Sequence, residues 1–357
     1  MILWILILFF SFVLFLMGVL YVSKRITLFG IKNKYISFLI VGIFILLLTI
    51  LLNFTTAIII FLNYLLIWIL MDLIFMLIEK LRSKDFKYYI AGIMAIICST
   101  IYVIYGTYNV YDVKETDYTF KSEKLNSDYK IALISDSHLG TTFDANGLNE
   151  YLKDIEEKNP DLLIVAGDFV DDGTSKEDMI KASKYLGSVK TKYGVYFAHG
   201  NHDKGYYGDK RGFSVSDLEE ELTSNGVKVL KDETILVNDE IYLIGRKDFE
   251  NQSRLQIKDL VKNLDNDKFM VVIDHQPTDY DNESKEKLDL VVSGHTHGGQ
   301  IIPLNYLNTY LSQNDSVYGY KNIDKTNFIV TSGISDWEIK MKTGCISEYV
   351  FIDLQSK

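Results

Sequence analysis

Six histidines occur in this chain, and five of them stand in short motifs rich in glycine, aspartate and asparagine. The densest is Ser293-Gly294-His295-Thr296-His297-Gly298-Gly299. In extended or turning backbone successive side chains alternate direction, so His295 and His297 project to one side and Thr296 to the other. Gly294, Gly298 and Gly299 let the chain pass close to whatever the imidazoles hold. Imidazole is the commonest nitrogen ligand for transition metals, so this pair alone reads equally as a candidate metal site or as two hydrogen-bonded structural histidines, and its company favours the metal site. Asp136 and His138, also two apart, offer an oxygen and a nitrogen in the same way. Gly167-Asp168 sets a carboxylate at a glycine turn, with Asp171 three residues on. Gly200-Asn201-His202-Asp203 and His275 complete the set. His199 adjoins the Gly200 motif and is expected to pack in the core.

Each motif follows an apolar run. Residues 131–134, 162–166, 195–198, 269–273 and 288–292 are predicted as buried strands, and 234–237, 241–244, 327–331 and 346–354 as further strands. Residues 146–158, 175–186, 215–224 and 253–264 are predicted as helices between them. That mixture suggests two packed sheets with helices outside. The motifs then fall just after the C-terminal ends of strands, where α/β folds place their sites.

Residues 1–108 are of another kind, almost continuously apolar. The run 1–22 lacks the preceding basic residues and the small-residue cleavage site of a signal peptide, so a retained helix is expected. The run 37–78 is too long for one span, since ~20 residues cross a bilayer. Asn53, Thr55 and Thr56 mark the hairpin within it, and 88–108 supplies a fourth helix with tyrosines near both ends. Residues 1–110 are thus assigned to a transmembrane region of about four helices, 111–128 to a linker and 129–357 to a soluble domain. Lys24, Arg25, Lys32 and Lys34 fill the first loop, and Lys80, Arg82, Lys84 and Lys87 the third. The bias of such charges to the cytoplasm predicts a multi-pass cell-membrane protein whose soluble domain is extracytoplasmic. Asp72 is the main ionisable group within the spans, so an anchor is expected rather than a transporter. The net charge of -10 and the absence of a basic stripe exclude a nucleic-acid binder. The two cysteines, Cys98 and Cys345, imply no disulfide framework.

The ordered set Asp136-x-His138, Gly167-Asp168-x-x-Asp171, Gly200-Asn201-His202-Asp203, His275 and Gly294-His295-x-His297 resembles the calcineurin-like metallophosphoesterase superfamily. The multi-span N-terminus is similar to that of bacterial membrane-anchored members, some related to enzymes that cleave lipid-linked nucleotide sugars. The resemblance implies a four-layer α/β/β/α sandwich over 129–357 and two divalent metal ions. Asp136, His138 and His297 would hold one ion, Asn201, His275 and His295 the other, and Asp168 would bridge them. The mixed oxygen and nitrogen donors suit Mn, Fe or Zn better than Mg or Ca. A water bridging the ions would be deprotonated near neutral pH and attack phosphorus. His202 is expected to lie over the substrate as a proton donor, with Asp203 holding its tautomer. Asp171 is expected to support a ligand rather than to coordinate.

Arg246 and Lys247, with Arg254 nearby, gather positive charge after a strand and are expected to grip a second phosphate or an anionic headgroup, a solvated loop being the alternative. Trp337, Ile339 and Met341 sit in a late loop, as loose surface packing or as an apolar lip. The expected protein is a membrane-anchored phosphohydrolase. Its substrate is a phosphodiester, pyrophosphate or phosphomonoester, on a lipid or lipid-linked molecule if anchoring reflects the substrate's place, and membrane lipids surround its helices. A non-catalytic receptor or scaffold with the same fold is the competing expectation.

Overall fold

The structure is a computed structural model that describes residues 2–303, 305–306 and 312–357. It divides into two units, residues 1–107 with 338–341 and residues 108–337 with 342–357.

In the first unit four helices carry the apolar sequence: α1 (Ile2–Ile26), α2 (Lys34–Leu51), α3 (Phe54–Arg82) and α4 (Ile90–Tyr111), the last running on into the second unit. All four are long and apolar enough to cross a membrane. The breaks fall where side chains can satisfy the free N–H groups of a new helix. Asn33 accepts from Tyr35 N at 2.9 Å at the start of α2, and Asn53 accepts from Thr56 N at 2.7 Å at the start of α3. Val22, Val41, Phe61, Trp68 and Ala95 are buried among the helices. Large apolar side chains such as Leu39, Ile50, Leu66 and Ile101 face outward. A water-soluble bundle would bury such residues; a lipid-facing one presents them.

The second unit is built on two six-stranded sheets. Its strands are β1 (Lys114–Ser122), β2 (Tyr129–Ile134), β3 (Leu162–Ala166), β4 (Val195–Ala198), β5 (Lys228–Leu230), β6 (Glu233–Val237), β7 (Ile241–Gly245), β8 (Phe269–Ile273), β9 (Leu290–Ser293), β10 (Gly319–Ile323), β11 (Thr326–Val330) and β12 (Glu348–Ser356). The first sheet has the order β1-β12-β2-β3-β4-β5 and the second β10-β11-β9-β8-β7-β6. Strands β2 to β5 run parallel, as do β7, β8, β9 and β11. Parallel neighbours need crossovers, and α5 (Ala145–Glu157), α6 (Lys176–Ser188) and α7 (Val215–Ser224) make them in the first sheet. The shorter α8 (Ile257–Val261) and α9 (Tyr280–Glu283) serve the second.

The period-2 pattern of the strands sorts their side chains into layers. Ile131 and Leu133 pack with Leu243, Val271, Ile273 and Val292 between the sheets. Ala132 and Ile134 face the other way, against Leu148 and Leu152 of α5 and Met179 of α6. Met270, Val272 and Val291 lie on the outer face of the second sheet with Ile257 of α8. The architecture is α/β/β/α, as the resemblance implied.

Two segments differ from expectation. Residues 114–122, expected within a linker, form β1 and pair in parallel with β12 over nine residues. No residue of β1 is fully buried, so no apolar run marks it in the sequence. Helix α8 is five residues long where 253–264 was expected, because Arg254 and Leu255 bond back to Lys247 and Asp232 and hold the preceding segment as a loop.

The sheets approach closely at Gly245, where a Cβ would stand 2.1 Å from Leu230 Cβ across the interface. Gly245→Ala is therefore expected to lower stability by about 1–3 kcal/mol. A thermal melt of the full chain in detergent checks it; an unchanged midpoint would refute this account of the packing.

Candidate metal centre

The C-terminal ends of β2, β3 and β4 meet those of β8 and β9, and each strand releases its motif there. His275, just beyond β8, bonds through Nδ1 to Ala166 O at the end of β3, 2.7 Å away. The backbone N of His295, beyond β9, donates to both oxygens of Asp136, beyond β2, at 2.9 and 3.0 Å. That approach requires glycine at 294, where a Cβ would lie 2.0 Å from Ser135 Oγ and 2.2 Å from Asp136 Oδ2. Five of the expected ligands adopt left-handed backbone without being glycine: Asp136 (φ 55°), His138 (36°), Asp168 (52°), His295 (70°) and His297 (47°). Each costs on the order of 1–3 kcal/mol, so the surrounding hydrogen bonds must hold them.

The side chains fall into two groups. Asp136, His138 and His297 bring one ligand atom each to within 4.8 Å of one another, and Asp168, His275 and His295 do the same. Asn201 Oδ1 joins the second group, 2.9 Å from His295 Nδ1 and 3.2 Å from His275 Nε2. Asp168 Oδ2 stands between the groups, 3.1 Å from His275 Nε2 and 3.6 Å from His138 Nε2. His297 Nε2 is 3.6 Å and His138 Nε2 4.0 Å from Asp136 Oδ1.

These side chains fit metal ions. Donor atoms bonded to one ion at ~2.0–2.2 Å stand roughly 3–3.6 Å apart, close to the separations seen. The His138 ring is wholly buried, yet among the described residues neither of its nitrogens has a hydrogen-bond partner. A buried polar atom left so is costly unless something else engages it. Its Nδ1 faces Asp171 Oδ2 at 3.5 Å, which turns Nε2 inward. Burial and the nearby His275 push His295 down to about 3, and burial holds His297 well below its usual range. Both rings are thus neutral near pH 7, the form that coordinates. Burial pushes the Asp168 carboxyl up, but His275 and His138 outweigh it and hold it below the usual carboxylate range.

His202 lies beside the ligand groups rather than within them. Its ring is 4.9 Å from that of His138, and Tyr206 and Trp337 flank it at 5.0 and 5.2 Å. Trp337, foreseen as part of a lip, is 43% exposed at this position. Tyr206 was not foreseen; its hydroxyl accepts from Asn201 Nδ2 at 2.7 Å. His199 bonds Glu219 at 2.9 Å and packs on Phe197, outside the centre.

Asp203 is a correction. It does not hold the His202 tautomer: its two oxygens accept from the backbone N of Asp168, Phe169, Val170 and Gly200 at 2.7–3.1 Å. Its carbonyl in turn accepts from Arg211 Nη2 at 2.6 Å, a buried contact that no spacing signalled.

Arg246 and Lys247 are also placed otherwise than expected. The Arg246 side chain is 2% exposed, and its Nη1 donates to Asp274, Asp279 and Glu283 at 2.8–2.9 Å. Arg254 pairs with Asp274 as well. Lys247 Nζ meets Ser253 Oγ at 3.1 Å and Asp232 at 3.6 Å. A guanidinium surrounded by three carboxylates has no charge to offer a phosphate.

Comparison with known proteins agrees with this geometry. A family described as calcineurin-like phosphoesterase matches residues 129–299. An uncharacterized metallophosphoesterase of Campylobacter jejuni is 29% identical over 301 residues, 81% of this chain and 77% of that one. One from Helicobacter pylori is 28% identical over 240 residues, 66% of this chain and 62% of its own. A transmembrane protein with metallophosphoesterase domain from Danio rerio is 28% identical over 298 residues, 78% of this chain and 65% of its own. The chain thus spans less than two thirds of the last two.

Two outcomes follow. Asp171→Asn is expected to weaken divalent-metal binding or activity by ~10–100-fold by loosening the His138 ring, read by calorimetric titration. Arg246→Ala is expected to cost about 3–5 kcal/mol by stranding buried carboxylates. A melt measures that loss, and a variant of unchanged stability but altered substrate choice would restore the phosphate-gripping role.

Proposed function

We propose that this chain, whose residues 129–299 match the calcineurin-like phosphoesterase family, is a membrane-anchored phosphohydrolase working with two divalent ions. The observation that carries the reading is the pair of buried ligand groups, Asp136/His138/His297 and Asp168/His275/His295, with Asp168 Oδ2 between them. Four helices able to cross a membrane precede the domain, and the Danio rerio relative is named as a transmembrane protein.

Mn, Fe or Zn ions, when bound, supply a water acidified to near-neutral pKa and positive charge for the phosphoryl oxygens. The chain's own residues do the rest. Asp136, His138 and His297 would hold one ion, Asn201, His275 and His295 would hold the other, and Asp168 lies where it could serve both. Asp171 fixes the His138 ring, and Ala166 O fixes that of His275. The His202 imidazole stands at the edge of the centre, where its ring N–H can donate a hydrogen bond to a phosphoryl oxygen. Burial holds the ring below its usual pKa, so only its protonated fraction can pass a proton to a departing alkoxide, returning to neutral imidazole. Trp337 and Tyr206 flank that ring on two sides. Phosphodiesters, pyrophosphates and phosphomonoesters all present the groups such a site needs. Membrane anchoring favours a lipid or lipid-linked substrate. The positive-inside distribution of the eight basic loop residues favours an extracytoplasmic domain.

The test is a metal-swept assay of the full chain in detergent with bis-p-nitrophenyl phosphate beside p-nitrophenyl phosphate. Metal-dependent turnover is expected, abolished by Asp168→Asn. His202→Ala is expected to lower kcat by about 10²–10⁴-fold with metal content unchanged. A folded, metal-loaded protein without turnover on esters or lipid phosphates would overturn the proposal in favour of a binding domain.

A further inference from the structure

The helical unit contains a polar cavity that the phosphohydrolase chemistry does not use. It lies where α1 and α3 end and α4 begins. Its volume is about 520 Å³, within the ~300–1,000 Å³ range of small-ligand sites. Arg25, Asp72, Glu79 and Tyr88 line it together with apolar Leu73 and Met76.

Asp72 organises the polar side of this cavity. It takes hydrogen bonds from Tyr21 and Tyr89, and Trp68 Nε1 donates to the Tyr89 hydroxyl at 2.8 Å. It also pairs with Arg25 Nε at 2.8 Å. Arg25 is thereby oriented but not enclosed. Its side chain keeps 34% exposure, and among the described residues no second carboxylate forms an ion pair with it. Glu79, two helical turns beyond Asp72, accepts from Phe86 N through Oε1 at 3.0 Å. Its Oε2 takes no hydrogen bond from any described residue.

The depth of these groups matches a bilayer. Asp72 lies eighteen residues into α3, about 27 Å along it at 1.5 Å per residue, close to the ~30 Å thickness of the hydrocarbon. Arg25 therefore reaches the level of lipid phosphates, and Glu79 sits about 10 Å further out. Leu73 and Met76, 53% and 60% exposed, extend the cavity wall as apolar surface. Along α3 the order is apolar Ile69, then Asp72 with its partner Arg25, then Leu73 and Met76, and outermost Glu79. A generic anion site would not place two carboxylates beside one arginine.

We propose that this cavity binds a zwitterionic aminophospholipid of the ethanolamine type, with its phosphodiester on Arg25 and its primary ammonium on Glu79. The acyl chains lie along the deeper Ile69 side. A quaternary choline headgroup cannot donate hydrogen bonds to Glu79, and a glycerol headgroup brings no positive charge to it. The inference rests on the membrane-anchored reading but not on catalysis.

The experiment is native mass spectrometry of the full chain released from detergent with equimolar dioleoyl phosphatidylethanolamine, phosphatidylglycerol and phosphatidylcholine. Inorganic phosphate and glycerophosphoethanolamine serve as separate arms. Insertion is read first, by resistance to alkaline carbonate extraction. The ethanolamine lipid is expected to be retained about tenfold over the other two, the worth of one charge-assisted contact. Arg25→Gln is expected to reduce retention of all three lipids. Glu79→Gln is expected to abolish only the preference for ethanolamine, which keeps the test decisive if Arg25→Gln does not fold. Lys84→Gln, an exposed basic position of the same bundle end, is expected to change neither. Equal or stronger retention of phosphatidylglycerol overturns the proposal, as does binding of free phosphate without lipid. An extracted protein defeats the anchored reading and this site together. An inserted protein with no headgroup preference defeats this site alone, and an inactive one that keeps the preference defeats only the phosphohydrolase reading.

Discussion

Four backbone N–H groups from two different loops converge on the carboxylate of Asp203, and the metal centre depends on that convergence. The side chain is fully buried, and its donors are the amides of Asp168, Phe169, Val170 and Gly200. Two carboxylate oxygens can accept four such bonds; burial and the neighbouring Asp168 push the carboxyl up, and the donated bonds oppose that shift. The loop after β3 is thereby tied to the loop after β4. Asp168 is held in left-handed backbone, and its Oδ1 then accepts the amide of His202 at 2.8 Å. One carboxylate thus sets the position of the acid between the two ligand groups and of the histidine beside them.

The domain contains a second buried charge cluster of opposite character. Arg246 and Arg254 face Asp274, Asp279 and Glu283. Those charges nearly balance within the cluster. Asp274 directly precedes His275, so the cluster anchors the strand end from which that histidine projects. The candidate metal centre is instead unbalanced: around Asp136 the His297 and His138 ring nitrogens stand 3.6 and 4.0 Å away, too far for hydrogen bonds. Charge that is satisfied internally builds structure, and charge left unsatisfied around a hollow builds a site.

Much of this was legible in the sequence, and the failures share a cause. Runs such as 131–134 and 162–166 are buried on both faces, and burial writes itself as continuous apolar sequence. β1 is half-exposed along its length and leaves no such record. The ligand motifs were visible because glycine, aspartate and histidine are seldom gathered at strand ends for packing alone. Asp203 was misplaced because adjacency to His202 along the chain was taken for contact in space. Arg246 was misread because sequence shows a positive charge without the carboxylates, 28 to 37 residues later, that surround it. Tyr206 and Arg211 act through loops whose shapes follow from tertiary contacts.

The position of β12 has a consequence for how the domain is made. This strand lies between β1 and β2, pairing in parallel with one and antiparallel with the other, yet it begins more than 200 residues after β2 ends. On a ribosome adding ~5–20 residues per second, β1 and the open side of β2 wait roughly ten to forty seconds for their partner. Meanwhile β1 follows directly on a helix long and apolar enough to span a bilayer. Vectorial synthesis therefore delivers the two flanking strands early and the closing strand late. The first sheet cannot be completed as the chain appears. Its edge is sealed only when the segment carrying Glu348 arrives, a carboxylate that accepts hydrogen bonds from Thr116 of β1 and from Thr331 and Ser332 beyond β11.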